Sequence, residues 1–314
     1  MTPDQQRFES VLEGISRGST AEIKVLLASL RPSEVAGVLA ANLPETRQII
    51  WGLLDEDVRN QSLQYLHDDV RGQFLETMNT TQLVAVAEEL DTDDFADILQ
   101  QLPQTITHQV LENLDSRDRA RVESVLSYPE DSAGGLMNTD TITVRPRHAA
   151  ELVLRYLRLR RELPATTDAL IVVNSRDKYL GVLPITKLLT ADPSVTVREI
   201  MNSEELPIHV SKSDTEVARL FSEHDLISAP VVDDAGHLLG RITIDDVVDV
   251  IIEDAEEAVL GPAGLLVDED TFAPVRRAVR RRAVWLGINL ITALMAAAVI
   301  SLFEDTIVKV VALA

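Results

Sequence analysis

From Val11 to Val125 the apolar positions recur with a helical period and almost never alternate as a strand would. Val35, Val38, Leu39 and Leu43 fall near one helical face. Short apolar runs such as Ile23 to Leu27 are separated by breaks containing Pro, Asp, Asn or Ser. Pro32-Ser33-Glu34, Pro44-Glu45 and Asp115-Ser116-Arg117-Asp118 read as helix starts. Proline suits the first turn, and early acids and capping side chains satisfy the N–H groups left free there. The pattern predicts a stack of short helices, a small superhelical domain over residues 1–127.

Tyr128-Pro129-Glu130-Asp131-Ser132-Ala133-Gly134-Gly135 interrupts that texture and reads as a domain junction. Beyond it the period changes. Ala169 to Asn174 is a strand-like run, and polar residues separate it from Tyr179 to Leu183, which is a hairpin signature. The same texture returns at Ser228 to Asp233, a turn at Asp234-Ala235-Gly236, and Leu238 to Thr243. Leu136-Met137-Asn138-Thr139 recurs 64 residues later as Ile200-Met201-Asn202-Ser203, and Gly181-Val182-Leu183 recurs 59 residues later as Gly240-Arg241-Ile242. Each unit is predicted to run lead-in, helix, strand, hairpin, strand, helix. The helices are expected over 149–161 and 215–224, and the closing helices over 185–190 and 244–252. Two such units, 128–198 and 199–258, would bury their sheet faces together as an α/β pair.

The last apolar run has a different length. Ala283 to Phe303 is 21 residues without a charge, enough to cross about 30 Å of hydrocarbon as a helix. Arg276, Arg277, Arg280, Arg281 and Arg282 precede it, and Glu304-Asp305 follow. By the positive-inside rule residues 1–282 are expected in the cytoplasm, with a transmembrane helix in the cell (inner) membrane from 283. A connector is expected over 259–282, its short helix from Phe272 to Arg282 either placing Val275 and Val279 toward a partner and Arg277 and Arg281 toward anionic lipid, or serving, with at least equal weight, as a plain juxtamembrane anchor. Ile307 to Ala314 reads as the approach to a second span cut short, so a fragment of a longer membrane protein is expected. A single helix has no lumen, and transport by this chain alone is not expected. The fold class is therefore multidomain: an all-α superhelical domain, an α/β tandem pair, a connector helix and a transmembrane α-helix.

Composition narrows the chemistry. The 314 residues carry 51 Asp+Glu against 29 Lys+Arg, a net charge of −22, which argues against nucleic acid as a partner. Without cysteine there is no disulfide, thiolate zinc site or cysteine nucleophile. No nucleophile–base arrangement, Gly-rich phosphate loop or H-E-x-x-H motif is present, so an enzyme is not expected. Met1 to Arg7 is polar, and no secretory signal is expected.

The negative charge is concentrated. Glu88 to Asp97 holds one acidic run, in which Asp93 and Asp97 stand i,i+4 on one side of a helix. Asp245 to Glu257 holds seven acids and no base, with Asp246, Asp249, Glu253 and Glu256 or Glu257 recurring along one face. Like charges at this spacing destabilise a helix by ~0.2–0.5 kcal/mol per pair, and a merely solvated face usually intersperses Lys or Arg. Solvated acidic helices are the competing reading, the stronger one for the first run. The lack of any base tips the second run toward cation binding. Oxygen-only ligands favour Mg²⁺ or Ca²⁺, and Mg²⁺ keeps much of its water shell.

The run Y-P-E-D-S-A-G-G-L-M over 128–137, the order of the segments and the paired repeat resemble the MgtE family of magnesium transporters. The paired repeat resembles tandem CBS domains, with Ala229-Pro230-Val231-Val232-Asp233 and Gly240 to Asp246 as characteristic pieces. The resemblance implies a homodimeric Mg²⁺ channel whose cytoplasmic part senses Mg²⁺ and closes when its acidic faces are neutralised. It implies metal-binding roles for Asp93 and Asp97 in the N domain, and for Asp225, Asp246 and Asp249 in the second CBS unit. Glu253, Asp254, Glu256 and Glu257 would serve at the start of the connector, with Asp214 and Glu216 as further ligands. CBS pairs also bind adenine nucleotides through a Thr and an Asp three residues on. Thr243 and Asp246 keep that pair, whereas the first unit has Pro184 and Lys187, and Lys187 offers no acceptor. An ATP-like nucleotide at Thr243 and Asp246 is the alternative cofactor.

Overall fold

Proline and acidic caps divide the first part of the chain into helices too short to stand alone, which must stack to be stable. The computed structural model describes residues 20–160, 163–164, 166–261, 270, 272 and 275–302. Expectations for 1–19, for the apolar residues after 302 and for the middle of the connector, 262–269, lie outside these residues. The described helices of this part are α1 (Thr20–Leu27), α2 (Pro32–Ala40), α3 (Pro44–Leu53), α4 (Glu56–Ser62), α5 (Asp68–Leu75), α6 (Thr80–Glu89), α7 (Thr92–Gln100), α8 (Gln104–Asn113) and α9 (Ser116–Leu126). Pro32 and Pro44 open their helices as expected. Asp115 accepts the Arg117 and Asp118 N–H groups at 2.8 Å each and caps α9. α2 packs on α4, α4 on α6, α6 on α8 and α7 on α9, the next-but-one contact of a superhelical stack.

Val35, Val38 and Leu39 are fully buried in this core. Leu43 is not, although the sequence pattern puts it on the same face. It is the residue before α3, where the chain turns extended, and it is 55% exposed. Trp51 and Phe74 stack at the centre of the domain with centroids 4.1 Å apart.

The paired repeat follows. β1 (Thr143–Val144), β2 (Ala169–Val173) and β3 (Tyr179–Pro184) form one three-stranded sheet. β4 (Ile208–His209), β5 (Ser228–Val232) and β6 (Leu238–Thr243) form the other. The register repeats: Thr143 lies opposite Ile171 in parallel as Ile208 lies opposite Val231, and both hairpins carry an irregularity, at Val172/Val173 and Val231/Val232. The helices are α10 (Ala150–Arg160) and α11 (Ile185–Thr190), a short α12 (Val197–Ile200), then α13 (Asp214–His224) and α14 (Ile244–Leu260). α14 runs eight residues past the expected end at 252, because no Pro or Gly interrupts Glu253 to Leu260.

The lead-in segments cross between repeats. Asn138 exchanges backbone hydrogen bonds with Arg241 of the second hairpin at 2.8 and 2.9 Å, and Asn202 does so with Val182 of the first at 2.7 and 2.9 Å. These crossings need glycine. A Cβ on Gly181 (φ +146) would sit 2.2 Å from the Asn202 carbonyl oxygen, and one on Gly240 2.7 Å from that of Asn138.

The helical domain does not stand apart from the pair. Ala96 of α7 belongs to the same buried apolar cluster as Val217, Phe221, Val247 and Val250 of the second repeat. Arg121 of α9 and Arg160 of α10 both bond Asp140, at 2.9 and 3.0 Å.

α15 (Val275–Leu302) is one continuous helix of 28 residues. The short connector helix expected from Phe272 to Arg282 is therefore not a separate element: it begins at Val275 and runs unbroken into the apolar segment. Val284, Leu286, Ile288, Leu290, Ile291 and Leu294 are each about 60% exposed. Among the described residues no helix is long and apolar enough to cross a membrane.

Replacing Gly181 or Gly240 by Ala should push each lead-in off its hairpin, an overpacking error of ~1–3 kcal/mol. Differential scanning calorimetry is expected to show a lowered Tm for each variant; an unchanged Tm would contradict the crossing.

Candidate cation site

α7 is apolar on two sides. Phe95, Ile98 and Leu99 face the helical core, and Ala96 faces the second repeat. Helical spacing puts Asp93 and Asp97 on the Ala96 side, so burying Ala96 carries both carboxylates into the seam. α14 works the same way from the other wall. Val247 and Val250 are buried, and Asp246, Asp249, Glu253, Asp254 and Glu257 stand around Val250 toward α7.

Between these walls lies a cleft of about 450 Å³. α7 contributes Asp93, Asp94 and Asp97, the junction contributes Glu130 and Asp131, and α13 contributes Asp214. With the five acids of α14, eleven carboxylates line the space, and among the described residues no lysine, arginine or histidine does.

Asp93 is 5% exposed, and its Oδ1 is buried without a hydrogen-bond partner among the described residues. A buried acceptor left unpaired costs ~1–3 kcal/mol. Burial pushes its pKa well above the ordinary carboxylate range, and the charges of Asp246 and Asp94 push it further. Burial and Asp246 raise Asp94 likewise. Asp97 is pushed up to about 7, by burial first and Glu130 second, with Arg71 opposing. Asp246 also rises to about 7, by burial and Asp245, although its hydrogen bonds with Thr243 pull it down. Asp249 is raised by burial and Asp245.

Eight of the acids singled out from the sequence, Asp93, Asp97, Asp214, Asp246, Asp249, Glu253, Asp254 and Glu257, meet in this cleft. Three others do not line it. Asp225 ends α13 in the left-handed conformation (φ 52°, ψ 42°). Glu216 takes part in capping α13, its N–H donating to Ser213 Oγ at 3.2 Å, and its carboxylate lies 3.9 Å from Lys212 Nζ. Glu256 is exposed away from the seam. Asp94, Glu130 and Asp131 also line the cleft, though the sequence pattern does not single them out. Asp94 is adjacent to Asp93 in the same acidic run, while Glu130 and Asp131 sit in the junction, where no periodicity points to a face.

Among the described residues no group of three or more His, Asp or Glu side chains is gathered tightly enough to hold a metal ion directly. The donor set instead suits a hydrated hard cation, held through its water shell by spread carboxylates. Thr243 donates from Oγ1 to Asp246 Oδ2 at 2.8 Å and caps α14, so this pair is engaged within the protein.

A helical superhelix that meets a CBS pair along an acidic seam defines the class of protein. The MgtE intracellular N domain matches residues 30–131, and the CBS domain matches residues 197–253. The chain is 31% identical over 311 residues to the magnesium transporter MgtE of Thermus thermophilus, covering 97% of this chain and 69% of that protein. It is 26% identical over 299 residues to the magnesium transporter MgtE of Bacillus subtilis, covering 95% of this chain and 66% of that one. The crystal structure of the cytosolic domain of the Mg²⁺ channel MgtE in complex with ATP superposes with a TM-score of 0.70 at 33% identity, over 77% of this chain and 99% of that one. The chain belongs to the MgtE family of magnesium transporters.

The raised pKa values fix the sign of a pH effect. Asp97 and Asp246 hold protons up to about pH 7 when folded, but only to about 4 when unfolded. The folded state binds more protons across that window, so its stability falls as pH rises from about 4 through 7. In EDTA the Tm is expected to decline from pH 5 to 8, and the double variant Asp97→Asn/Asp246→Asn to flatten the decline. A Tm that rises over this range would contradict the placement.

Proposed function

We propose that this chain is the Mg²⁺-sensing gating region of an MgtE-type channel, and that hydrated Mg²⁺ in the acidic cleft favours the closed state. The observation that carries this reading is the buried Oδ1 of Asp93, unpartnered among the described residues, in a space whose described charged lining is all carboxylate. Two walls of like charge repel, and the apolar cluster that includes Ala96 and Val125 opposes that repulsion. A divalent cation neutralises both walls and exists in the seam only when they meet. Because it binds the docked arrangement better than the separated one, it shifts the population toward docking.

The fit to Mg²⁺ rests on oxygen donors alone, on the absence of Cys from the chain and on spacing that leaves room for water. In this reading 1–282 is cytoplasmic, 283–303 enters the cell (inner) membrane, and the chain acts as a homodimer in regulation rather than as an enzyme. The continuous α15, with five arginines between 276 and 282 ahead of its apolar length, supports that orientation.

An adenine nucleotide is the second reading, drawn from the ATP-bound relative. It requires Thr243 and Asp246 to exchange their mutual bond for a ribose. Calorimetric binding of ATP in EDTA, lost in Thr243→Ala, would favour it.

Limited proteolysis tests the leading reading. Millimolar Mg²⁺ is expected to protect the wild-type chain, and NaCl of equal ionic strength is not. Asp246→Asn/Asp249→Asn should be protected equally in EDTA and in Mg²⁺. No protection of the wild type, or a full Mg²⁺ response in that variant, would sink the sensor.

A further inference from the structure

Arg47 of α3 is completely buried in the helical domain, remote in sequence from the acidic cleft. Its guanidinium is held by the domain itself. Nε donates to the Leu39 carbonyl at 2.9 Å, Nη2 to that of Ala40 at 3.3 Å, and Nη1 to Gln73 Oε1 at 3.2 Å. The remaining donors form a two-pronged grip on Asp270, 223 residues further along the chain, with both Nη···Oδ distances 2.6 Å. Gln73 Nε2 adds a third donor to that carboxylate at 3.0 Å, and the Phe272 ring lies 5.7 Å from the guanidinium carbon. The Asp270 side chain is only 3% exposed. Burial works to raise its pKa, but the bonds from Arg47, the Phe272 N–H and Gln73 outweigh burial and the net direction is down, so it is a carboxylate.

This is not a surface ion pair of negligible effect. Separating Asp270 would leave a guanidinium buried without a counter-charge, a strongly disfavoured state. The contact is therefore made or broken as a unit. Asp270 stands five residues before Val275, where α15 begins.

We propose that Arg47 and Asp270 form a clasp by which the helical domain holds the segment leading into α15, so that movement of that domain reaches α15 without passing through the cation cleft. The sensor reading links the helical domain to the second repeat through α7. The clasp links it through α3, on different residues and with a fixed guanidinium in place of an exchangeable ion. It does not depend on the sensor reading.

The chain has no cysteine, so cysteines introduced at the exposed positions Ile49 (63%) and Val279 (58%) would be the only labelling sites. Pulsed EPR distances between spin labels there, on the 314-residue chain in detergent, read the clasp directly. With the labelled chain diluted in excess unlabelled chain, so that only pairs within one protomer are read, a single narrow distance is expected in the otherwise wild-type chain, in Mg²⁺ and in EDTA alike. Asp270→Asn is expected to move most of the population to longer, broader distances in both conditions. Arg47→Met/Asp270→Asn removes both charges and leaves no bare guanidinium, so it should keep its far-ultraviolet circular dichroism and Tm and show the same broad distribution. A narrow distance that persists in the folded double variant, or a broad one already present without these substitutions, would overturn the clasp. A narrow distance found only with Mg²⁺ would also overturn it, by assigning the coupling to the cation cleft.

Discussion

Repulsion across one seam governs the arrangement of this chain. α7 buries Ala96 against Val247 and Val250, and the helical period then forces Asp93 and Asp97 toward Asp246 and Asp249. The apolar contact cannot form without the electrostatic penalty. Protons at Asp97 and Asp246, whose pKa values reach about 7, relieve that penalty in part. A divalent cation would relieve it more fully, because one ion carries two charges and its water shell spans carboxylates too far apart to ligate it directly. The seam thus has an apolar attraction with a charge-dependent brake, and the setting of the brake depends on the solution.

A second attachment of the helical domain has the opposite character. Arg47 and Asp270 are matched one to one, desolvated and hydrogen-bonded on every side. One contact is unbalanced in charge, while the other is balanced within the chain. If the two proposals hold, the helical domain has one fixed and one adjustable attachment, and α15 lies beyond the fixed one.

Much of this was legible in the residues. Pro32, Pro44 and Asp115 mark helix starts because proline and capping carboxylates act locally, within three residues. The repeat was visible because Gly181 and Gly240 are demanded by the same close approach in each copy. The crossing of the lead-in segments was not, since Asn138 pairs with Arg241 through backbone groups that any residue carries. In the cleft, Asp93, Asp97, Asp246 and Asp249 declared themselves by helical spacing. Glu130 and Asp131 did not, lying in a junction whose path is set by tertiary contacts. Asp225 and Glu216 lie outside the cleft, Asp225 at the end of α13 and the Glu216 carboxylate beside Lys212. Nothing local singles out Arg47 and Asp270, whose partnership spans 223 residues.

Hydrogen exchange reads the seam itself. Amides of Thr92–Gln100 and Ile244–Leu260 should exchange markedly more slowly in millimolar Mg²⁺ than in EDTA at equal ionic strength, while those of β2 and β3 stay unchanged. Equal exchange at α7 and α14 in the two conditions would contradict the account.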